Sequence, residues 1–406
     1  MALKKYIKSL IIGLSVTLTI PAFISCSNEP GGSPYVDNRE TTVLIYAVAT
    51  NSLSSNLISD KNEMLQAAAS IDLKKNSVIV FENTYTFGQR LLELKYNGSE
   101  YEFEVIEEFP DTYSSLDPRR MGEVFEYMTD NYESKRYGLI FWSHSTASQP
   151  YITSSSTSSK GEKSTYSTTE GAQRLTSSYS FGSDNNAVLP EYVQINVDEL
   201  ADAIPAGLFT YIWFDSCYMS NIETIYQMRE KSKYFVGYAT EVWEFGLPYH
   251  IVLPYLVGSN PDLVAGAELF FKYYDESNYR NATIAVIDLE KIEALAEICA
   301  DVYEPMDISS ITSMIKYTRG STGPFFDLGD YSKAIAESSG KVLTAEEWNG
   351  ALDKCVVYKA ATPTGFDGTA IDPARFSGIS THIYSFNDNT TKEKFYQSLD
   401  WFNRVF

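Results

Sequence analysis

The chain has 406 residues, of which 44% are hydrophobic, so it is long and apolar enough to form one large folded domain. Its formal net charge of -21 at pH 7 disfavours nucleic acid and anionic membrane surfaces as partners, because both carry negative charge. The same charge is compatible with a basic substrate, and equally with an acidic surface that serves only solubility.

The N-terminus has the pattern of a bacterial export signal. Lys4, Lys5 and Lys8 precede an apolar stretch that is shorter than the roughly 20 residues of a comfortable membrane span. The stretch ends in the sequence FISC, which resembles the lipobox of bacterial lipoproteins, where the cysteine receives a lipid after cleavage. Phe23 stands at the position that is usually aliphatic, so cleavage without lipidation remains the alternative.

We therefore expect residues 1–26 to form a signal peptide that ends at a lipidated Cys26. The following residues, 27–40, are rich in Gly, Pro and Ser without an apolar period, which is typical of a flexible tether. On this interpretation the protein is exported and its lipid anchor holds it to the membrane of the bacterial cell envelope, at the outer membrane or cell surface.

The other cysteines, Cys217, Cys299 and Cys355, lie far apart and include no C-x-x-C pair. This spacing disfavours a zinc site, and so few cysteines in an exported chain disfavour a disulfide scaffold. Cys299 falls at helical spacing with Ile292 and Leu295, which predicts a place in the core. Cys217 follows a strand pattern and needs another explanation.

Residues 41–258 alternate between strand and helix patterns, which predicts an α/β fold with a mainly parallel sheet. Asn97 and Gly98 form the turn of a hairpin between two strand patterns. The other strand patterns lie at 41–50, 76–83, 137–144, 209–216 and 234–240, and the helical patterns at 62–71, 117–134, 196–205 and 222–231.

Two regions differ from this alternation. Residues 145–187 are dominated by Ser and Thr and have no apolar period, so we expect a long loop or insertion. Residues 259–406 mix strand and helix patterns without a linker before them, and we expect this C-terminal α/β extension to pack on the core. Its first helix is predicted to be capped by Asn260, with Pro261 at the first helical position.

His144 and Cys217 stand at the ends of two successive strand patterns, if the loop is set aside. Catalytic groups of open α/β sheets gather beyond the carboxyl ends of strands, so the two side chains are predicted to share a cleft. A thiolate attacks a carbonyl carbon, and an imidazole can then give a proton to the leaving amine. Ser220 and Glu223 form a capping-box pattern, which predicts a helix start that would favour the thiolate and supply N–H groups for an oxyanion.

Asp215 precedes Cys217 by two residues, so both side chains point to the same side of an extended strand. Within a cleft, its carboxylate could pair with a Lys or Arg side chain of a substrate. The alternative is a structural role, in which Asp215 accepts backbone N–H groups of the turn between strand and helix.

The sequences FWSH, WFDSCYMSNIETIYQMRE and YFVGYATEVWEFGLPY are together similar to the clostripain family of cysteine peptidases. The resemblance implies a caspase-like α/β/α sandwich, with Cys217 as nucleophile and His144 as general acid/base. It also implies cleavage after Arg or Lys, with Asp215 as the acid of the primary pocket. Glu241 matches an acidic segment of the family without an assigned role, and further family features are FFDLGDYSKAI and FSGISTHIYSF.

Ser145 stands where the family usually has glycine after the histidine. The resemblance implies that the N–H of this residue and that of Cys217 stabilise the oxyanion, and serine keeps the N–H but dislikes some backbone angles that glycine accepts. The alternative is a catalytically inactive relative that acts as a binding or structural scaffold at the cell surface.

Many family members also cut themselves between the histidine and the cysteine. Lys160, Lys163 and Arg174 offer basic cleavage positions in the Ser/Thr-rich loop, and an unprocessed loop is the alternative. Some relatives need calcium, but no EF-hand pattern is present, so we expect no metal site and no cofactor and leave calcium open. His250 could line the cleft, whereas His382 lies inside a strand pattern and is more typical of a structural residue.

Overall fold

The structure, a computed structural model, describes residues 39–148, 180–188, 192–305, 314–317, 325–366 and 368–406. The predictions on Cys26, on the signal peptide, on tether residues 27–38, and on Lys160, Lys163 and Arg174 lie outside these residues. Arg39, in the last part of the predicted tether, is buried, and its Nε donates to the hydroxyl of Ser77 at 2.9 Å. All described residues belong to one compact unit, Val36–Phe406.

A nine-stranded sheet runs through the described part of the chain. Its strands are β1 (Thr41–Val48), β2 (Asn76–Thr84), β3 (Gly88–Tyr96), β4 (Tyr101–Phe109), β5 (Tyr137–Trp142), β6 (Phe209–Asp215), β7 (Ser232–Gly237), β8 (Thr283–Asp288) and β10 (Val356–Ala361). Two short strands, β9 (Phe325–Asp327) and β11 (Ser380–His382), form a separate antiparallel pair.

The strand order in the large sheet is β10-β8-β7-β6-β5-β1-β2-β3-β4. The five central strands, β2, β1, β5, β6 and β7, are parallel, and two antiparallel strands extend the sheet at each edge. This arrangement confirms the predicted α/β fold with a parallel centre. Strands β8 and β10 come from residues after 258, so the C-terminal part of the chain extends the same sheet.

Helices cover both faces of the sheet. They are α1 (Ser54–Ala67), α2 (Pro118–Asn131), α3 (Val197–Ala203), α4 (Ile222–Gln227), α5 (Tyr249–Leu256), α6 (Leu263–Asp275), α7 (Glu293–Val302), α8 (Leu328–Ser338), α9 (Ala345–Cys355), α10 (Thr391–Ser398) and α11 (Asp400–Val405). Within the described residues, no helix has both the length and the apolar character needed to cross a membrane.

The two faces of β1 show why the chain forms a three-layer sandwich. Every residue of β1 is buried, which is typical of a central parallel strand covered on both sides. Leu44 and Tyr46 pack into the core on one face, together with α2, α3, α4, α7, α8 and α9. Val43 and Ile45 point the other way and pack with α1, α5 and α6. The continuous apolar run of β1 therefore supplies both cores.

Helix α6 begins later than the sequence predicts. Its first residue is Leu263, and the Asp262 carboxylate accepts a 3.0 Å hydrogen bond from the N–H of Ala265. The cap is therefore Asp262 and not Asn260, because an acid at this position satisfies an N–H that the helix leaves unpaired.

Candidate active site

The ends of β5 and β6 bring His144 and Cys217 to the same edge of the sheet. The two strands are parallel neighbours, and Trp142 pairs with Asp215 at the last step of their register. His144 and Cys217 each follow this pair by two residues. Both line one cavity of about 290 Å³, and Asp215 lines it as well.

A serine holds the ring of His144. The hydroxyl of Ser52 lies 2.8 Å from Nε2 of His144. Ser52 follows Asn51, whose side-chain amide donates to the carbonyl of Val48 at 2.9 Å and to that of Ser183 at 2.8 Å. Burial lowers the pKa of His144 below its ordinary value of 6.5, so the imidazole is largely neutral at pH 7 and can accept a proton.

Ser145 joins the two loops that carry His144 and Cys217. Its hydroxyl donates a 2.5 Å hydrogen bond to the carbonyl oxygen of Cys217. Its backbone does not take the left-handed conformation that glycine would permit. Among the described non-glycine residues only Ala147, at φ 67°, and Tyr218, at φ 62°, have positive φ. The exceptional backbone angle after the histidine therefore falls on Ala147.

The backbone N–H of Ser145 is not used in the pairing of this loop with Phe181. The carbonyl of His144 accepts from Gly182 N–H at 2.8 Å, and Thr146 N–H donates to Ser180 at 2.9 Å. These bonds join the neighbours of Ser145 to the segment at Phe181. Within the described residues no acceptor receives the N–H of Ser145 itself.

Cys217 lies in a sharp turn after β6. It is half-buried, and its Sγ lies 3.8 Å from the carbonyl oxygen of Val242. The next residue, Tyr218, donates its N–H to the carbonyl of Thr240 at 3.0 Å. The turn is therefore tied to the loop that follows β7, residues 238–248, which we call the β7 loop.

The predicted capping box after Cys217 is wrong. Helix α4 begins at Ile222, and its cap is Asn221, whose side chain accepts from Thr224 N–H at 3.0 Å. Ser220 instead donates its hydroxyl to Gly378 at 2.7 Å. The six-residue α4 starts five residues after the thiol, so a helix terminus directly behind Cys217 is not what the structure provides.

Glu223, the second member of the predicted box, is fully buried. It accepts hydrogen bonds from Thr381 Oγ1 at 3.0 Å, His382 N–H at 3.0 Å and Tyr384 OH at 2.9 Å. Burial raises the pKa of Glu223 to about 7, despite these donors. Glu223 therefore does not cap a helix. Its hydrogen bonds connect α4 to β11 and the residues that follow it.

Asp215 is buried beneath the cavity, and its hydrogen-bond partners come from the β7 loop and its surroundings. Its carboxylate accepts from Leu247 N–H at 3.0 Å, Tyr249 OH at 3.2 Å and Tyr238 OH at 3.4 Å. Burial raises its pKa to about 6, and the three donors act in the opposite direction. Asp215 therefore does not accept from the strand-to-helix turn, which was the structural alternative.

Gly246 makes room above this carboxylate. A Cβ atom at position 246 would lie 2.8 Å from Oδ2 of Asp215, and the backbone there has φ +56°. A side chain at position 246 would therefore clash with the acid and strain the loop. The glycine therefore lets the β7 loop pack closely on Asp215, and both residues line the cavity.

A second buried acid lies near Asp215, and no sequence pattern predicted it. Asp60, on α1, accepts a 2.8 Å hydrogen bond from Nε1 of Trp142. Burial, and to a smaller extent the charge of Asp215, raise the pKa of Asp60 to about 9. Asp60 is therefore a neutral carboxylic acid at pH 7, and Asp215 is left as the ionised acid of this pair.

The remaining candidates separate clearly. Glu241 lines the cavity with His144 and Cys217. His250 is not among the lining residues, and its Nδ1 lies 3.0 Å from Glu63. His382 lies in β11, 3.0 Å from Glu393. The cavity thus takes up Glu241 but neither of the two other histidines.

The two other thiols are structural. Cys299 and Cys355 are buried, and burial raises the pKa of each thiol to about 12. The three described cysteines are not joined by disulfides. In the described part of the chain, no group of three or more His, Cys, Asp or Glu side chains is placed to hold a metal ion.

Ser52, Gly246 and Asp60 are the site residues that sequence reasoning missed. Ser52 follows the carboxyl end of β1, so the strand-end rule that selected His144 and Cys217 would have selected this turn too. Gly246 and Asp60 carry no such signal, because their contacts with Asp215 and Trp142 join residues that lie far apart along the chain.

Comparison with known proteins places these residues in context. A family model described as the clostripain family, Peptidase_C11, matches residues 45–405. A search of curated proteins finds no match. A solved structure described as a secreted C11 cysteine protease from Bacteroides thetaiotaomicron, in complex with an irreversible peptide inhibitor, aligns with a TM-score of 0.72 and 25% identity. That alignment covers 90% of this chain and 98% of the other.

Two further structures have the same fold. One, described as an inactive zymogen C11 protease from Parabacteroides distasonis, aligns with a TM-score of 0.70 and 22% identity over 91% of this chain and 99% of that chain. The other is described as a secreted C11 cysteine protease from Bacteroides thetaiotaomicron, iotapain. It aligns with a TM-score of 0.69 and 23% identity over 91% of this chain and 100% of that chain. The similarity extends over nearly the whole of each solved chain.

Proposed function

Because the chain belongs to the clostripain family of cysteine proteases, we propose that it is an endopeptidase that hydrolyses peptide bonds after Arg or Lys. Cys217 is the nucleophile and His144 the general acid/base. The observation that carries the proposal is the matched placement of these residues two positions after the ends of β5 and β6, where both line one cavity that Asp215 also lines.

The chemistry follows from the two side chains. His144 takes the thiol proton, and the Cys217 sulfur attacks the carbonyl carbon of the scissile bond to form a tetrahedral oxyanion. The imidazolium then protonates the leaving amine, and an acyl-enzyme remains. His144 next takes a proton from water, which attacks the thioester carbon. The Cys217 sulfur is expelled from this carbon and regains its proton from the imidazolium, and the carboxylic acid product is released.

The N–H of Ser145 is our candidate donor to the oxyanion, together with that of Cys217. Ser145 N–H has no acceptor among the described residues, and its hydroxyl is occupied by the Cys217 carbonyl. Removing one such donor typically costs about 100- to 1000-fold in kcat. Ser145 keeps the required N–H, so the replacement of glycine is compatible with catalysis.

Asp215 is the proposed acid of the primary pocket. It lines the same cavity as Cys217, and the backbone of Gly246 lies close to its carboxylate. A guanidinium or ammonium group of the substrate would pair with its carboxylate, and a pair formed away from water is stronger than one at the surface. Asp60 stays neutral nearby and so does not add a second buried charge.

Self-cleavage after Lys160, Lys163 or Arg174 belongs to the same proposal, because each is a basic residue between His144 and Cys217. We also propose export and a lipid on Cys26, on the pattern of residues 1–26. Metabolic labelling with an alkyne fatty acid tests the anchor. Label on the wild type that is lost in Cys26→Ser supports it, and equal labelling contradicts it.

The alternative is a surface lipoprotein that keeps this fold without catalysis. A panel of fluorogenic peptides that differ only at the residue before the scissile bond separates the two. The proposal predicts hydrolysis of the Arg and Lys peptides only, lost in Cys217→Ala and in His144→Ala. Hydrolysis of other peptides alone contradicts the basic preference, and no hydrolysis by a folded wild type supports the scaffold.

A further inference from the structure

We propose that the cavity beside Cys217 carries a second, aromatic subsite, which binds an apolar side chain of the substrate next to the basic residue. The subsite consists of Trp243, Phe245, Tyr279 and Phe366, which we call the aromatic rim. The inference rests on the proposed function, because it takes the ligand to be the same peptide that lies across Cys217.

The four rings form one continuous surface. The ring centroids of Trp243 and Phe366 lie 4.4 Å apart, those of Trp243 and Tyr279 lie 4.8 Å apart, and those of Phe245 and Tyr279 lie 5.2 Å apart. These separations are typical of aromatic side chains in direct contact. The rim is therefore a single patch and not four isolated exposed residues.

This patch begins inside the cavity and ends in solvent. Trp243 and Phe366 line the cavity together with His144 and Cys217. Phe245 and Tyr279 continue outward and are 42% and 40% exposed. Large contiguous apolar surfaces exposed to water are uncommon and often mark binding sites. A peptide bound at Cys217 could continue from the cavity onto this outer surface.

The rim is held in place before any ligand binds. Nε1 of Trp243 donates to Oδ1 of Asn281 at 2.6 Å and to the carbonyl of Tyr279 at 3.1 Å. The central ring is thus fixed by hydrogen bonds to the segment that carries a second ring. A preformed subsite loses little conformational entropy when a side chain enters it.

The rim and the proposed basic pocket share the β7 loop. That loop supplies Trp243 and Phe245 to the rim, Leu247 N–H to Asp215, and the Val242 carbonyl beside the Cys217 sulfur. The β7 loop therefore sets the distance between the Asp215 pocket and the aromatic rim. The substrate that fits has a Lys or Arg with a neighbouring Leu, Met, Phe or Tyr.

The test uses peptides with Arg or Ala before the scissile bond and with Ser, Leu or Phe at each flanking position. Their Kd values are measured on Cys217→Ala by fluorescence anisotropy, and their kcat/KM values on the intact thiol enzyme. We expect Phe or Leu to exceed Ser by about 10-fold at one flanking position, the usual scale for burying a large apolar side chain.

Matched variants assign this preference to the rim. Tyr279→Ala and Phe366→Ala, each also made in the Cys217→Ala background, should reduce the apolar-to-serine ratio to below about 3-fold. Tyr255→Ala removes another exposed aromatic residue, on α5 and outside the cavity lining, and should leave the ratio at its wild-type value. Thermal melts of every variant confirm that it is folded.

The outcomes separate the subsite from the proposed function. Discrimination between Arg and Ala before the scissile bond, with no flanking preference, overturns the aromatic subsite and leaves the basic specificity intact. A flanking preference that the rim variants abolish, with no discrimination for Arg, supports the subsite and contradicts the basic pocket. A preference that persists in both rim variants, or no binding of any peptide, overturns the subsite.

Discussion

The hydroxyl of Ser145 donates a 2.5 Å hydrogen bond to the carbonyl oxygen of Cys217. The residue that departs from the family's usual glycine therefore connects the loop after β5 to the loop after β6. Serine at this position is accommodated because its own φ is not positive; the positive φ in this loop belongs to Ala147, two residues later. The departure thus adds a contact between the two loops that carry the proposed dyad.

We predict that Ser145→Ala weakens catalysis without unfolding the protein. The change removes one hydrogen bond of net strength about 1 kcal/mol and leaves the Cys217 carbonyl without this donor. We expect kcat/KM for an Arg peptide to fall by about 3- to 10-fold, since 1.4 kcal/mol corresponds to a factor of 10.

Ser148→Ala is the matched control, because Ser148 is also buried in the loop after β5 and its hydroxyl has no partner among the described residues. The control should keep the wild-type kcat/KM. Equal activity of Ser145→Ala and the wild type would show that the connection to Cys217 has no part in the reaction.

Ser52 offers a second prediction, on the orientation of His144. Ser52→Ala removes the group that lies 2.8 Å from Nε2, so the imidazole loses its fixed orientation. We expect kcat to fall by about 10-fold with KM nearly unchanged, because positioning of a general base acts on the chemical step. Ser52→Thr keeps a hydroxyl and should restore most of kcat. A Thr variant as slow as the Ala variant contradicts a positioning role.

The pH dependence of basic-peptide hydrolysis follows from Asp215. Its pKa is raised to about 6, so it loses its charge as the pH falls through about 6. A cationic substrate side chain needs the ionised form, so kcat/KM for Arg peptides should decline below that pH. His144, whose pKa is lowered from 6.5, adds a decline that is common to all substrates.

A peptide with a neutral side chain before the scissile bond separates the effect of Asp215 from that of His144. The ratio of Arg to norleucine hydrolysis reports Asp215 alone, because His144 acts on both peptides. We expect this ratio to fall below pH 6 in the wild type and to be small at every pH in Asp215→Asn. Iodoacetamide alkylation of Cys217 checks that the thiol of the Asp215→Asn variant is still reactive. An unchanged ratio in this variant would assign the basic specificity to a residue other than Asp215.

Asp60 predicts a pH dependence of stability. Its pKa is raised from 3.8 to about 9 in the folded protein, so the folded state holds a proton that the unfolded state releases above about pH 4. The contribution of Asp60 to the free energy of unfolding therefore falls as the pH rises from about 4 to about 9. The slope is about 1.4 kcal/mol per pH unit at most.

Urea unfolding of Asp60→Asn between pH 5 and pH 8 measures this contribution. The variant carries no titrating group at position 60, so its stability should fall less with pH than that of the wild type. Asp72→Asn, which changes an acid whose side chain is 54% exposed, is the control and should follow the wild type. Parallel curves for the wild type and Asp60→Asn would mean that Asp60 is not held protonated.

Self-cleavage has a simple readout. The wild type should appear as two fragments on a denaturing gel, because the proposed thiol cuts after a basic residue of the Ser/Thr-rich loop. Cys217→Ala should remain one chain, and combined Lys160→Gln, Lys163→Gln and Arg174→Gln changes should block the cut in an otherwise active enzyme. Two fragments in both the wild type and Cys217→Ala, or in neither, would contradict self-cleavage.

The sequence predicts the centre of the fold well, because buried parallel strands leave a clear signal. The run at β1 is apolar at nearly every position, and the strand-end rule then brings His144 and Cys217 together once β5 and β6 are neighbours. The sequence does not contain the strand order itself. The mixed edges, with antiparallel β8 and β10, depend on long-range pairing that local patterns do not report.

Local sequence patterns could not predict the hydrogen-bond partners within the site, because these partners also lie far apart along the chain. Ser220 and Glu223 have the spacing of a capping box, but tertiary contacts to Gly378 and Tyr384 take both side chains away from the helix end. Asp60 comes from a helix on one face of the sheet and meets Trp142 across the fold. Such contacts need coordinates, since no spacing along the chain encodes them.

Covalent labelling with an Arg-chloromethylketone, read by peptide mass spectrometry, tests the proposed dyad most directly. We predict one inhibitor per chain, attached to Cys217 in the wild type and absent in His144→Ala and Cys217→Ala. A folded wild-type protein that takes up no inhibitor, or whose labelling rate is the same in His144→Ala, would contradict a thiol activated by this imidazole.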